Sequence, residues 1–332
     1  MGNNSPNYTR TKILDNYGPI KKLLGLKDGR LAILRVNDIK VFLKNDLESE
    51  LTIIPEKNCY LENFFQLSNE KLITSLNPNG IHNEYKIVII SLEQNNSYNI
   101  DQIIPINSKL LKIIELNDSN TIASFELNNE IKIYSKYDLN YINTTIIKEN
   151  NFCNFKDSIY LGNDKLIISI YSYKIYNLKD MKCIHEINNI QYPIGKIIKL
   201  NENKILVSSR NNDICKIHII NILNNEIIYT IILDQKIKNI QNIQKSSNGN
   251  ILFLMDNGKR GLIRKGFGFP FFYPHLLSEY FIVYKFNSLQ LIKIYEFEEY
   301  DKNIKYFSEF DNGKIAFNMR DNINNCIKVL QI

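Results

Sequence analysis

The sequence predicts an all-β protein, a seven-bladed β-propeller whose blades are four-stranded and antiparallel. Two observations predict this fold: the number of copies of one hairpin pattern and the spacing between them. One hairpin pattern, an apolar strand end followed by a short polar turn and a second apolar strand, occurs seven times, and its starts are 41, 49, 45, 39, 46 and 64 residues apart. Five of these six intervals are close to the forty-odd residues of a four-stranded blade, and the sixth contains an insertion. The seven copies are LKDGRLAIL (26–34), LSNEKLITS (67–75), LNDSNTIAS (116–124), LGNDKLIIS (161–169), LNENKILVS (200–208), SSNGNILFL (246–254) and FDNGKIAFN (310–318).

The turns of these hairpins carry Asp, Asn and Gly, most clearly at Asp28-Gly29, Asn248-Gly249 and Asn312-Gly313. A tight hairpin needs a positive φ at one or two residues, and these residue types adopt it most easily. Isoleucine is abundant around the turns, and its β-branched side chain favours strands. Each copy therefore predicts a first strand, a turn and a second strand.

A third strand follows in every unit, and Lys alternates in it with Ile, Val or Tyr, which predicts one wet and one packed face. The third strands are predicted at 38–43, 85–92, 130–135, 173–178, 215–222, 280–286 and 326–332. A fourth strand appears in six units, for example at 51–54, 142–147, 182–187, 227–233 and 291–297.

The seventh unit has no fourth strand after residues 326–332, whereas TRTKIL (9–14) precedes the first unit. We expect residues 9–14 to be the outer strand of the seventh blade, joining the two ends of the ring. Residues 1–8 are predicted to be a flexible N-terminus and 9–332 a single propeller domain. Two stacked β-sandwich domains would not explain the sevenfold recurrence, and no linker marks a boundary between them. The predicted blades are approximately 18–54, 60–104, 107–147, 155–189, 192–235, 238–298, and 302–332 together with 9–14.

The segment KLIISIYSYKIYNLKDMKCIHEI (165–187) resembles a WD repeat: Ile175-Tyr176-Asn177 stands where that family carries Ile-Trp-Asp, and Cys183-Ile184 stands in the returning strand. Residues 121–142 are the next most similar copy. The chain contains no Trp-Asp and no Gly-His pair, so the family's hydrogen-bonded tetrad is unavailable and Ile, Leu, Phe and Tyr packing must hold the blades together. The resemblance implies a degenerate WD-repeat propeller with a scaffold or adaptor role, although a fold alone does not specify function.

Composition favours an intracellular protein. Lys plus Arg exceeds Asp plus Glu by 41 − 35 = 6, but the lysines are scattered rather than concentrated on one face, so a nucleic-acid partner is not expected. The N-terminus has no apolar signal region and no apolar run reaches 18 residues, which predicts a cytoplasmic location. An odd number of distant cysteines favours reduced thiols, and the histidines lack metal-ligand spacing. These residues are Cys59, Cys153, Cys183, Cys215 and Cys326, and His82, His185, His218 and His275.

Catalytic signatures are missing from the sequence. It has no G-x-S-x-G, no glycine-rich phosphate loop and no H-E-x-x-H, so we predict no enzymatic activity, no catalytic residue, no metal and no cofactor. Acidic pairs such as Glu298-Glu299 are adjacent in sequence, and adjacency does not define a carboxylate pair for glycoside hydrolysis. An enzyme with a site in the central channel stays as a third alternative.

One insertion, DNGKRGLIRKGFGFPFFYPHLLSE (256–279), differs in composition from the rest of the chain. It joins the second and third strands of the sixth unit and should open on the partner-binding face, as should NPNGIHNE (77–84). Aromatic residues and arginines are typical of binding hot spots. The predicted partner-binding residues are Lys259, Arg260, Arg264, Lys265, Phe267, Phe269, Phe271, Phe272 and Tyr273.

Three interpretations of this insertion are open. It contacts a protein partner, it packs on the propeller as a flap, or it meets an anionic membrane with its cations while the phenylalanines enter the interface. Phosphoinositide-binding propellers carry an F-R-R-G motif, which Lys259-Arg260-Gly261 matches only in part. We predict a non-catalytic intracellular scaffold or adaptor, monomeric on its own, that binds proteins through this face, with a peripheral membrane or phosphoinositide-binding propeller as the alternative.

Overall fold

All regular secondary structure in the described part of the chain is β-strand, which confirms the predicted all-β class. The strands form seven four-stranded antiparallel sheets. The chain also divides into two compact units, residues 18–193 and residues 1–17 with 194–332. The computed structural model describes residues 8–14, 19–43, 46–78, 85–93, 97–116, 121–135, 140–146, 155–180, 182–187, 190, 196–211, 214–233, 237, 239–247, 249–256, 279–287, 290–299, 303–310, 314–320 and 325–331.

The unit of residues 18–193 contains four sheets, each built from four consecutive strands in chain order. The first sheet is β2 (Lys22–Gly25), β3 (Leu31–Leu34), β4 (Ile39–Leu43) and β5 (Asp46–Ile53). The second is β6 (Cys59–Gln66), β7 (Leu72–Pro78), β8 (Tyr85–Leu92) and β9 (Tyr98–Ile106). The third is β10 (Leu110–Leu116), β11 (Thr121–Glu126), β12 (Glu130–Ser135) and β13 (Tyr141–Ile146), and the fourth is β14 (Asp157–Gly162), β15 (Lys165–Ser169), β16 (Tyr173–Asn177) and β17 (Cys183–Ile187).

The other unit contains three sheets. The fifth sheet is β18 (Ile198–Asn201), β19 (Lys204–Asn211), β20 (Ile214–Asn221) and β21 (Glu226–Ile232). The sixth is β22 (Asn239–Lys245), β23 (Asn250–Asp256), β24 (Glu279–Asn287) and β25 (Gln290–Glu299). The seventh is β26 (Asn303–Phe310), β27 (Lys314–Arg320) and β28 (Asn325–Gln331), completed by β1 (Tyr8–Leu14), which pairs antiparallel with β28 as the sequence predicts.

A one-residue bulge marks the β1–β28 pairing, since Tyr8 pairs with Leu330 and Arg10 with the adjacent Val329. Fourth strands of the third to sixth sheets carry the same single extra residue near their beginning, for example between Tyr141 and Asn143. A bulge increases the local twist of an edge strand and makes it a poor template for further pairing. By this criterion β1 is equivalent to the other fourth strands, although it lies at the opposite end of the sequence.

The second strands are buried on both faces, because alternate side chains enter different apolar clusters. Leu72 packs in a cluster shared by the first and second sheets, whereas its neighbour Ile73 packs in one shared by the second and third. In the third sheet, Ile122 packs in the cluster shared with the second sheet, and its neighbour Ala123 packs in the cluster shared with the fourth sheet. Such strands are apolar throughout rather than alternating. Aliphatic and aromatic packing therefore joins neighbouring sheets, as the missing Trp-Asp signatures led us to expect.

The third strands are less polar on their outer face than alternation predicts. In β8 four consecutive residues are buried, and in β4 even Lys40 is buried, with its Nζ donating to Thr52 Oγ1 at 2.8 Å. The predicted wet face was wrong for these two strands, and in β8 the reason is that alternate side chains enter the apolar clusters on both sides of the sheet.

First strands of neighbouring sheets lie side by side and run in the same direction. Lys21 Nζ donates to the carbonyl of Leu61 at 2.8 Å, and six residues further on the Lys27 amide donates to Gln66 Oε1 at 2.8 Å. The next pair of sheets repeats this arrangement, where the Ser68 amide donates to Glu115 Oε1 at 2.8 Å. In the other unit the Ser247 amide donates to Glu309 Oε2 at 2.7 Å.

Each sheet thus has two distinct ends. One end carries the turns between first and second strands, where Gly29 and Gly249 have the positive φ values, 88° and 83°, that the sequence predicts. The other end, which we call the start edge, is where first strands begin, and connections between second and third strands also open there. Within the four-sheet unit the start edges of neighbouring sheets lie next to one another.

Removal of β1 should expose the outer edge of β28 and leave a three-stranded sheet. We expect a truncated chain that starts at Asn16 to melt at a clearly lower temperature and to aggregate, because an unpaired strand edge templates association. A chain that starts at Pro6 keeps β1 and should melt like the full chain. Calorimetry of all three chains checks this, and identical melting curves would show that β1 contributes nothing to stability.

Candidate functional site

The partner-binding residues predicted from the sequence lie outside the described residues. These are Lys259, Arg260, Arg264, Lys265, Phe267, Phe269, Phe271, Phe272 and Tyr273. The strands that flank the insertion are described, and β23 ends at Asp256 opposite Asn239, where the first strand of that sheet begins. The insertion therefore leaves the sixth sheet at its start edge, as predicted for a connection between second and third strands.

The described residues contain an exposed feature at a start edge, centred on Tyr60. Cys59 and Leu61 point into the core between the first and second sheets, so the strand alternation turns Tyr60 outward, where it is 43% exposed. Lys21, which directly precedes β2, lies with its Nζ 5.8 Å from the centre of the Tyr60 ring. A cation at this distance from an aromatic face is attracted by the ring quadrupole.

Glu62 stands next along β6 and lies beside a second lysine. Its Oε2 is 3.0 Å from Lys109 Nζ, and its Oε1 accepts a 3.4 Å hydrogen bond from Asn77 Nδ2. The Glu62 carbonyl accepts the Ser75 hydroxyl at 2.7 Å, which fixes the backbone of the bulge that follows at Asn63. The carboxylate is thereby held on the side of Lys109.

The charges of Glu62 and Lys109 both act on the Lys21 amine. Burial lowers the pKa of the Lys21 amine, the Glu62 carboxylate acts against this change, and the positive charge of Lys109 lowers it further. The three side chains therefore form one electrostatic group with two cations around one anion. An additional anion near Lys21 would raise the pKa of its amine and so act against burial and the charge of Lys109, which both lower it.

Leu127 lies beside this group on the turn between β11 and β12. Its amide donates to the Lys109 carbonyl at 2.9 Å, and the turn closes through the Asn129 amide on the Glu126 carbonyl at 3.2 Å. The Leu127 side chain is 43% exposed. We call the contiguous set Lys21, Tyr60, Glu62, Lys109 and Leu127 the start-edge patch.

A buried ion pair supports the Leu127 turn from below. Glu126 is fully buried, and its Oε2 lies 2.9 Å from Lys132 Nζ, which is also 3.3 Å from Glu130. Burial raises the pKa of the Glu126 carboxyl, while Lys132 acts in the opposite direction. Lys132 is thus held inside by two carboxylates, whereas the side chain of Lys109, whose carbonyl accepts from the Leu127 amide, is 40% exposed.

The fourth sheet has a small cavity of about 110 Å³ at its own start edge. Ile168, Ile170 and Tyr176 form an apolar floor, and Tyr171 stands at its mouth with 58% of its surface exposed. On the polar side Ser172 Oγ donates to Glu186 Oε1 at 2.5 Å. A cavity of this size holds one small side chain, which is below the usual volume of a small-molecule site.

A buried histidine in the fifth sheet, His218, lies next to a serine, as the histidine of a catalytic triad does. His218 Nε2 lies 2.9 Å from Ser209 Oγ, and its Nδ1 lies 2.9 Å from Thr230 Oγ1. Nucleophilic catalysis needs a carboxylate at the second nitrogen and an accessible serine, whereas here the third group is a hydroxyl and Ser209 is buried. Burial and nearby Lys216 lower the pKa of His218 to about 4, so the ring is neutral at pH 7 and its role is structural.

Three further properties of the described residues bear on the site. No group of three or more His, Cys, Asp and Glu side chains in them is arranged to hold a metal ion. None of their secondary structure is a helix of the length and apolarity that crossing a membrane requires. Cys59 and Cys215 are buried and Cys183 is exposed, and none of these three forms a disulfide.

The comparisons bear on the fold. No family model matches the sequence, and no curated protein matches it. Among solved structures, a chain in the crystal structure of a mitotic checkpoint complex matches with a TM-score of 0.68 at 12% identity, covering 100% of this chain and 96% of that one. The match and the four-stranded sheets are consistent with a WD-like propeller. At this identity the likeness concerns the fold alone, and 1340 chains of solved structures share it.

Sequence reasoning did not find the start-edge patch. The only local signal was Tyr60 between two apolar residues in a strand, which predicts an outward aromatic side chain. Lys21, Glu62 and Lys109 lie in three different repeats, and nothing in the sequence indicates that they meet.

His218 should make the protein less stable in mild acid. The unfolded chain binds a proton at His218 below about pH 6.5, whereas the folded chain binds it only near pH 4, so stability is lost as the pH falls between these values. From pH 7 to pH 5 we expect His218 to lower the free energy of unfolding by about 2 kcal/mol. Urea unfolding of the wild type and of His218→Asn at both pH values measures this, and equal losses in the two proteins would refute it.

Proposed function

We propose that the chain is a non-catalytic intracellular scaffold, a closed seven-bladed propeller that binds other proteins through its start edges. The observation that carries this proposal is the start-edge patch, where an exposed tyrosine and an exposed leucine flank a charged group that secondary structure holds in place. Exposed aromatic and apolar side chains beside fixed charges are typical of protein-binding surfaces.

The insertion of the sixth sheet supports the same proposal. It leaves β23 at the start edge, and its cations and aromatic side chains have the composition of binding hot spots. We propose Lys259, Arg260, Arg264, Lys265, Phe267, Phe269, Phe271, Phe272 and Tyr273 as a second part of the binding surface. The solved structure reported above is that of a mitotic checkpoint complex, which agrees with a protein-binding role for this fold.

An enzyme receives less support. In the described residues the cavity of the fourth sheet is small, and the His218 group has a hydroxyl in the place of a catalytic carboxylate. The charged side chains of Asp157 and Lys112, on the first strands of the fourth and third sheets, are engaged with one another. Paired charges of this kind are typical of structural contacts.

Loss of the insertion's aromatic side chains should remove protein partners. We expect affinity purification with Phe269, Phe271 and Phe272 changed to Ser to recover fewer partners than the intact chain, because these residues would supply the apolar contact area. A matched control changes Ile100, Ile103 and Ile142 to Ser, since these are exposed apolar side chains on fourth strands. Recovery of the same partners with all three baits would show that the insertion is not the contact.

Sedimentation with vesicles tests the membrane alternative. If the scaffold proposal holds, the chain stays in the supernatant with phosphatidylcholine vesicles and with vesicles containing phosphatidylserine or phosphoinositide. Binding to anionic vesicles that fades with added salt would instead identify a peripheral membrane protein.

A further inference from the structure

We infer that the start-edge patch binds an acidic peptide segment that also carries an apolar side chain. This inference rests on the proposed protein-binding function and adds the chemistry of the partner. It follows from three features of the described residues: the two lysines around Glu62, the excess of cations along this edge, and the two exposed apolar side chains.

The lysine pair is incompletely neutralised. Lys109 is paired with Glu62, whereas Lys21 donates to a neutral carbonyl, that of Leu61, at 2.8 Å. An ammonium group has three donors, so Lys21 has donors left for an incoming carboxylate. Glu62 already lies beside Lys109 and acts as an internal competitor for the carboxylate of a partner.

The rest of this edge in the four-sheet unit favours an anionic partner in the same way. Its described carboxylates have lysine or arginine partners: Asp38 with Arg35, Glu56 with Lys86, Asp157 with Lys112, and both Glu126 and Glu130 with Lys132. Lys57 and Lys156 lie on connections at the same edge and form no ion pair with a described residue. The described residues of this edge therefore carry a net positive charge, and the complementary charge on the partner would be negative.

The apolar residues distinguish a peptide from a nucleic acid. Tyr60 lies beside Lys21 and the Leu127 turn lies beside Lys109, so a segment with an acidic residue beside an apolar one matches both chemistries. A nucleic acid carries a phosphate at every nucleotide and would meet Glu62 with like charge, whereas a peptide can place single carboxylates near each lysine. The patch also lacks the row of stacked aromatic side chains that single strands use.

Direct binding of a defined peptide tests the inference. The probe is a fluorescein-labelled peptide, Gly-Glu-Leu-Glu-Asp-Phe-Glu-Gly, and its control has Gln and Asn in place of the acids. We expect the full chain to bind the acidic peptide in fluorescence anisotropy, more weakly as salt rises to about 0.15 M, and to bind the amide peptide much less. Equal binding of both peptides, or no binding of the acidic one, would overturn the inference.

Charge substitutions then locate the contact. Lys109→Gln should weaken binding roughly two- to fivefold, the range of one partly exposed ion pair. Its matched control is Lys179→Gln, which removes the same charge from an exposed lysine on the turn between β16 and β17. Equal effects of the two substitutions would show that only net charge matters and would refute the patch.

Glu62→Gln gives the sharpest result because the expected change has the opposite sign. It removes the internal competitor, so binding of the acidic peptide should strengthen roughly two- to fivefold. Glu202→Gln, at an exposed turn, controls for net charge. Melting curves verify that each variant is folded, and weaker binding by folded Glu62→Gln would overturn the inference. The scaffold proposal is tested separately by the partners that the intact chain recovers.

Discussion

The two-sided burial of the second strands is the constraint on which the remaining structure depends. Leu72 and Ile73 are neighbours in one strand, yet each belongs to a different apolar cluster. A sheet built on such a strand must have a neighbour on each face, so it is stable only within a row of sheets. The chain reaches this arrangement with Ile, Leu and Phe and without any Trp.

Stacking of the sheets also determines where function can reside. First strands that run side by side in one direction bring the beginnings of neighbouring sheets together, and their side chains link across the gap, as Lys21 does to Leu61. Residues such as Tyr60 and Leu127, which alternation or a turn directs outward at this end, then form a surface that is continuous across several sheets. Tyr60 lies in a strand and Leu127 on a hydrogen-bonded turn, and an ordered surface loses less conformational entropy on binding.

Polar groups in this molecule have three different roles. Glu126 and Lys132 form a buried pair that supports a turn, and His218 is a neutral hydrogen-bonding residue inside the fifth sheet. Glu62 and Lys109 are partly exposed, and solvent or a partner can compete with their ion pair. Burial decides which role a charged pair has. The buried pair of Glu126 and Lys132 is restricted to one arrangement by the cost of desolvation, whereas the partly exposed pair of Glu62 and Lys109 can exchange partners.

The sequence by itself determined the all-β class, the hairpins and the pairing of β1 with β28, because strand propensity and turn chemistry act between residues that are near in the chain or that repeat at a fixed interval. Gly29 is an example, since its positive φ follows from the short turn between Leu26 and Arg30 alone. Only the tertiary structure decided that Lys21, Glu62 and Lys109 meet, since the register between sheets places residues more than forty positions apart next to one another. It also decided that Lys40 is buried, because its ammonium group finds a hydrogen-bond acceptor in Thr52 on the adjacent strand.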